Sequence, residues 1–141
     1  MTERTTRIKE RFLQYKDWED RYKEIIQLGR SLAPYPEDKR DEKYKVKGCQ
    51  SQVWLYPEFK EGRVFFHGDS DAMLVKGIVG ILVSVYSDAT PDEILSTRPE
   101  FLQEVGIQEH LSMNRSNGLA SMMKQIQMYA AVFKSMQKAQ S

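Results

Sequence analysis

Apolar and polar positions change period twice along this chain, which places helices at both ends of a central block of strands. Tyr22, Ile25, Ile26 and Gly29 recur at the three-and-four spacing of one helix face, with Glu19, Asp20, Lys23 and Glu24 opposite. The pattern predicts helix from Thr5 to Arg30, broken near Asp17. Ala33 to Glu42 contains Pro34, Pro36 and a charge cluster, which predicts a mobile loop. Lys43-Tyr44-Lys45-Val46-Lys47 then alternates polar and apolar, as a half-buried strand does. Gln52-Val53-Trp54-Leu55-Tyr56 and Arg63-Val64-Phe65-Phe66-His67 follow on either side of a turn at Glu61-Gly62, and Gly68 to Asp71 ends the block. The connections are too brief for parallel crossovers, so the three strands are expected to be antiparallel.

Helical periodicity returns after the strands. Asp71 to Tyr86 is apolar nearly all round, the pattern of a helix buried mid-domain, with Ser70 or Asp71 as its cap. Thr90-Pro91-Asp92-Glu93 has capping-box spacing with proline at the first helical position. A short helix from Pro99 to about Val105 is ended by Gly106. Asn114 or Ser116 opens a long helix to about Lys138, with Leu119, Met122, Met123, Ile126, Ala130, Phe133 and Gln137 on its inner face. Met122, Met123 and Met128 read as packing residues. The fold class expected is α+β, a small three-stranded antiparallel sheet packed against N-terminal and C-terminal helices. There is no internal repeat or long linker, so residues 1–141 are expected to form one domain.

Composition narrows the function classes. Hydrophobic residues make up 40% and charged residues 29%, an ordinary globular balance. The 21 basic and 20 acidic residues leave a charge of +1, without the basic excess of a nucleic-acid binder. The start, MTERTTRIKERF, lacks the apolar run of a secretory signal. The most apolar segment, Met73 to Tyr86, is interrupted by Lys76 and Ser84 and is too short to span a bilayer. The one cysteine can form no internal disulfide, and a free thiol is easiest to keep in a reducing compartment. These readings point to a soluble cytoplasmic protein that binds neither membrane nor nucleic acid.

Candidate chemistry centres on Cys49. It follows Gly48 in a loop between two strands, where reactive groups tend to be carried and where glycine makes conformational change cheap. Lys43, Lys45 and Lys47 share one side of the preceding strand, and an ammonium as near as Lys47 lowers a thiol pKa. Against this, a lone intracellular cysteine is usually a small buried hydrophobe, and alternating lysines are usually a solvated face. A thiol hydrolase or peroxidase would use Cys49 as nucleophile with His67 or His110 as base. A metal site would need paired ligands at short spacing, which His67 and His110 do not supply, so none is expected. An iron–sulfur scaffold would need several thiolates, and this chain has one. A pure interaction module with an inert cysteine is the remaining alternative.

Four ordered motifs carry more. Val46-Lys47-Gly48-Cys49-Gln50-Ser51-Gln52-Val53-Trp54-Leu55 resembles the cysteine loop of the SufE family, the sulfur acceptors of cysteine desulfurases. Trp18 to Tyr22 with Ile25 to Gly29 resembles that family's N-terminal helix. Gly68-Asp69-Ser70-Asp71-Ala72 with Val75-Lys76-Gly77 resembles its GDSDA…VKG segment. His110-Leu111-Ser112 with Arg115 to Leu119 resembles its HL…SRS-GL segment, although Met113-Asn114 replaces small polar or proline residues.

The resemblance spans roughly Trp18 to Tyr129 and implies a SufE/IscU-like fold and a monomer. It also implies that Cys49 accepts sulfur from a SufS- or CsdA-type cysteine desulfurase, stimulates that enzyme, and holds the sulfur as a persulfide. The sulfur would pass on to an iron–sulfur scaffold complex. Pyridoxal phosphate belongs to the desulfurase, and this chain needs no cofactor and is no stand-alone enzyme. Gly48, Gln50, Ser51 and Gln52 would position the loop or meet the partner, Asp71 would hold the resting loop, and Arg115 would reach the loop and the partner surface. Cys49 itself is expected to be largely buried at rest, and Trp54 to belong to the core.

Overall fold

The computed structural model describes residues 1–140. Helices α1 (Thr2–Leu13) and α2 (Trp18–Arg30) replace the single predicted N-terminal helix, with the break at the expected place. The hairpin β1 (Val53–Lys60) and β2 (Arg63–Ser70) follows, then α3 (Met73–Tyr86), α4 (Pro91–Ser96), α5 (Glu100–Glu104) and α6 (Met113–Gln140). Three single 3₁₀ turns, Glu37–Lys39, Glu42–Tyr44 and Gln108–His110, lie in the connections.

α3 is the centre of the molecule because almost every side of it is apolar. Leu74, Val75, Ile78, Val79, Ile81, Leu82, Val85 and Tyr86 are all buried. It packs on α2 on one side and on β2 on another. Contact with α2 is backbone to backbone: a Cβ on Gly77 would stand 2.3 Å from the Ile25 carbonyl oxygen, and one on Gly29 would stand 2.8 Å from the Gly77 nitrogen. On α2 itself Ile25, Ile26, Leu28 and Gly29 are buried, whereas Tyr22, expected on that face, is 40% exposed.

The sheet is a two-stranded antiparallel hairpin, not the three strands expected. Lys60 pairs with Arg63 across Glu61-Gly62, and both turn residues have positive φ, which suits the twist of a two-residue hairpin. β2 alternates buried and half-exposed positions, with Val64, Phe66 and Ser70 facing inward. Lys43 to Lys47 is not a strand. The Asp41 carboxylate accepts the Lys43 N–H at 3.3 Å and winds Glu42–Tyr44 into a 3₁₀ turn. Gly48, at φ +87°, then turns the chain away. Only one bridge, Lys45 to Trp54, survives, with Val46 donating to the Val53 carbonyl at 2.8 Å.

The preceding loop is tied down rather than mobile. Tyr35 is buried, and its hydroxyl donates to the Lys39 carbonyl at 2.9 Å. The Arg40 guanidinium lies 5.2 Å from the Tyr35 ring centroid and 4.9 Å from that of Trp54, and donates to Asp69 at 2.6 Å. Trp54 is thus half-buried beneath an arginine instead of lying in the core. The Thr90–Glu93 capping box forms as expected, with N–H···O distances of 2.9 and 3.1 Å.

α6 packs on β1 and α4. It opens one residue earlier than predicted, where the Ser112 hydroxyl accepts the Arg115 N–H at 3.3 Å. Leu119, Met122, Met123, Ile126 and Ala130 are buried, and Phe133 stacks on Phe59 at 4.8 Å. Gln137 is exposed, and so is Met128 at 52%. Among the described residues no helix is long and apolar enough to cross a membrane.

Candidate functional site

The loop from Val46 to Gln52 is held at both ends. At its start Val46 is buried and bonded to Val53. At its end the Asp71 carboxylate accepts the Gln52 N–H at 3.0 Å, and the Asp71 N–H donates to the Gln52 carbonyl at 3.3 Å. Asp71 therefore does not cap α3. Nor does Ser70: its hydroxyl accepts the N–H of Ala72, the N-cap residue, at 3.3 Å, and no side chain caps the first turn of α3.

Between these ties the loop lies on the first turns of α6. A Cβ on Gly48 would meet the Ser121 hydroxyl oxygen at 2.9 Å. Cys49 is half-buried, less than expected, and its thiol sulfur lies 3.7 Å from the Gly118 carbonyl oxygen, a weak S–H···O contact. A Cβ on Gly118 would stand 3.1 Å from that sulfur, so glycine here lets the loop sit close. Desolvation pushes the Cys49 thiol above its ordinary pKa. The lowering expected from Lys47 does not appear, because Lys47 points into solvent and burial is what shifts the thiol.

Beneath Cys49 lies a cavity of about 70 Å³. Val75 and Ile78 of α3 and Met122 and Gly118 of α6 give it apolar walls, while Gln50, Ser51, Asn114 and Arg115 supply polar ones. Of the residues singled out from sequence, Cys49, Gln50, Ser51 and Arg115 thus converge on one cavity. Gly48 forms the turn into it, and Gln52 and Asp71 form the clamp behind it. The Arg115 side chain is exposed and pairs with no carboxylate among the described residues.

Gly118, Val75, Ile78 and Met122 were not singled out as site residues. A glycine within a helical run was the available signal, since it often marks close approach of another backbone. The histidines are engaged elsewhere. His67 pairs with Glu58 at 2.8 Å on the hairpin, and His110 stacks on Trp18 at 3.9 Å with Nδ1 2.9 Å from the Gly106 carbonyl. Among the described residues no three His, Cys, Asp or Glu side chains gather as metal ligands would.

Comparison with known proteins fits this geometry to a family. The SufE family model, described as an Fe-S metabolism associated domain, matches residues 6–130. An uncharacterized SufE-like protein of Synechocystis is 37% identical over 127 residues, covering 90% of this chain and 80% of that one. The chain belongs to the SufE family. It is thereby associated with Fe–S metabolism as an accessory sulfur-transfer protein. A solution structure of a hypothetical protein from Thermus thermophilus superposes with a TM-score of 0.77 at 21% identity. That match covers 91% of this chain and 93% of the other, and shows a shared fold. Within the SufE frame, the loop that carries the thiol, the cavity beneath it and the clamp behind it all fall inside the matched residues.

Proposed function

We propose that Cys49 takes a sulfane sulfur from the persulfide of a cysteine desulfurase, stimulates that enzyme by relieving it of product, and passes the sulfur to an iron–sulfur assembly complex. The observation that carries the reading is the chain's one thiol, held in a glycine-entered loop over a small cavity in a SufE-family protein.

In the resting loop, burial disfavours the thiolate and so protects the sulfur from stray oxidants. Docking on the desulfurase swings the loop outward about Gly48 and restores water and partner charges to the sulfur. The Cys49 thiolate attacks the terminal sulfur of the donor persulfide. That sulfur's bond to the donor cysteine breaks, the donor leaves as thiolate, and the proton lost by Cys49 neutralises it. The products are a Cys49 persulfide and a donor thiol, with no net oxidation. When the loop returns, the cavity has room for one extra sulfur atom. The unpaired Arg115 guanidinium at its mouth suits the anionic form of thiol or persulfide. Neither histidine stands at Cys49 to act as the base of a thiol hydrolase, which favours relay over hydrolysis.

The test is the rate at which a SufS-type desulfurase releases alanine from free cysteine. Adding this protein is expected to raise that rate, and adding Cys49→Ser is not. Equal stimulation by both would reduce the chain to an interaction module and end the proposal.

A further inference from the structure

Lysine side chains gather on one side of the cysteine loop, although the whole chain is almost neutral. Lys43, Lys45 and Lys47 from the segment before the loop, and Lys124 from α6, line a groove of about 410 Å³. Its one carboxylate, Glu42, makes only a long 3.8 Å pair with Lys45. Lys47 and Lys124 have no ion-pair partner among the described residues. The floor is fixed: the Gln125 amide donates to the Tyr44 carbonyl at 3.3 Å and to the Tyr129 hydroxyl at 3.1 Å.

Two features give this groove a direction. Ser121 lines it and also lies against Gly48, so the groove opens within one helical turn of the thiol. At its other end Met128 begins an apolar ridge on α6. Met128, Val132 and Met136 recur every four residues and are exposed by 52%, 49% and 46%, so they form a contiguous apolar stripe along one helix face. A cationic groove continuing into an apolar ridge is complementary to an amphipathic acidic surface.

We infer that this groove and ridge dock an acidic surface of the sulfur-donating desulfurase and steer it onto Cys49. The inference rests on the relay proposed above, because only a partner that must reach Cys49 is bound to cover the groove beside it. Steering acts on encounter and not on the sulfur transfer that follows. Lys43 and Lys124 are both exposed, so reversing their charge leaves the fold intact.

The experiment titrates wild type, Lys43→Glu/Lys124→Glu and Lys43→Gln/Lys124→Gln against a SufS-type desulfurase with free cysteine, in low and high salt. Lys16→Glu/Lys23→Glu, exposed in the α1–α2 connection and on α2 and outside the groove lining, is the control. The groove reversal is expected to raise the half-saturating concentration about tenfold or more in low salt, with the limiting rate unchanged and the difference collapsing in 1 M salt. The glutamine pair is expected to give a smaller shift and the control none. Unmoved half-saturation in both groove variants, with Cys49→Ser still inactive, would overturn the docking surface and leave the relay standing. Failure of the wild type to accept sulfur would overturn both. Normal loading with impaired onward release, lysine-dependent binding of a duplex oligonucleotide, or lysine-dependent self-association would each assign the groove to another occupant and overturn the inference.

Discussion

Replacing Gly118 by alanine separates the stability of α6 from the seating of the cysteine loop. In a helix interior alanine is favoured over glycine by about 1 kcal/mol. The new methyl would stand 3.1 Å from the Cys49 sulfur, tighter than a relaxed contact, and the sulfur is the movable side because it ends a short side chain on a loop. The thiol must lift by a few tenths of an ångström, which weakens its contact with the Gly118 carbonyl and admits water. Desolvation is what raises its pKa, so the pKa must fall. Each unit of fall multiplies the thiolate at pH 7 tenfold, while intrinsic nucleophilicity drops with a Brønsted slope of about 0.4–0.5. The net gain is about three- to fourfold in exchange rate per unit. The assay is exchange of Cys49 with an aromatic disulfide whose released thiolate is coloured, read from about pH 6 to 10. Gly118→Ala is expected to react faster at pH 7 than wild type, with its midpoint moved down and Tm within about 4 °C of wild type. An unchanged or slower reaction would refute the claim that packing against α6 holds the thiol in its resting state.

Three further outcomes follow from the same geometry. Asp71→Ala frees the Gln52 N–H and is expected to cost about 0.5–1.5 kcal/mol while speeding Cys49 exchange, whereas Asp71→Asn, which keeps an acceptor, changes both less; thermal melts and the disulfide assay read the two effects. Burial alone would raise the Asp69 pKa, but hydrogen bonds from Arg40, the Ser70 backbone and Lys76 outweigh it and hold the carboxyl below its usual value. Its stabilising contribution is therefore complete above the unfolded pKa of about 3.9 and is lost as pH falls through the lower folded value. Asp69→Asn is expected to lower stability at neutral pH by roughly 1–3 kcal/mol and to flatten the acid limb of a Tm-against-pH curve; an acid limb as steep as wild type's would contradict it. Gly77→Ala would drive a methyl into the Ile25 carbonyl and is expected to cost about 3 kcal/mol or more, so a soluble variant with wild-type Tm would show that α2 and α3 do not cross as described.

Features encoded over a few residues were legible before the fold was known. The Thr90–Glu93 capping box, the Glu61-Gly62 hairpin turn and the break before Trp18 each depend on side chains within one turn of each other. The Lys43–Lys47 strand was misread because alternation is a weak signal over five residues, and the Asp41 side chain offers the backbone a competing turn. Met128 was misread because methionine at helical spacing looks the same whether it packs inside or docks a partner. At the site, motif resemblance gave Cys49, Gln50, Ser51 and Arg115, which meet around one cavity. Gly118 escaped attention since its importance lies in contact with a residue 69 positions away, which no local pattern encodes. The thiol's electrostatics were half legible: burial at rest was expected, and burial is what raises the pKa, while Lys47 is too well solvated to oppose it.

Intact-mass spectrometry of the chain after incubation with a SufS-type desulfurase and free cysteine tests the relay most directly. The account predicts one added sulfur atom, removable by a thiol reductant and missing from Cys49→Ser. An unaltered wild-type mass, or the same gain in Cys49→Ser, would contradict it.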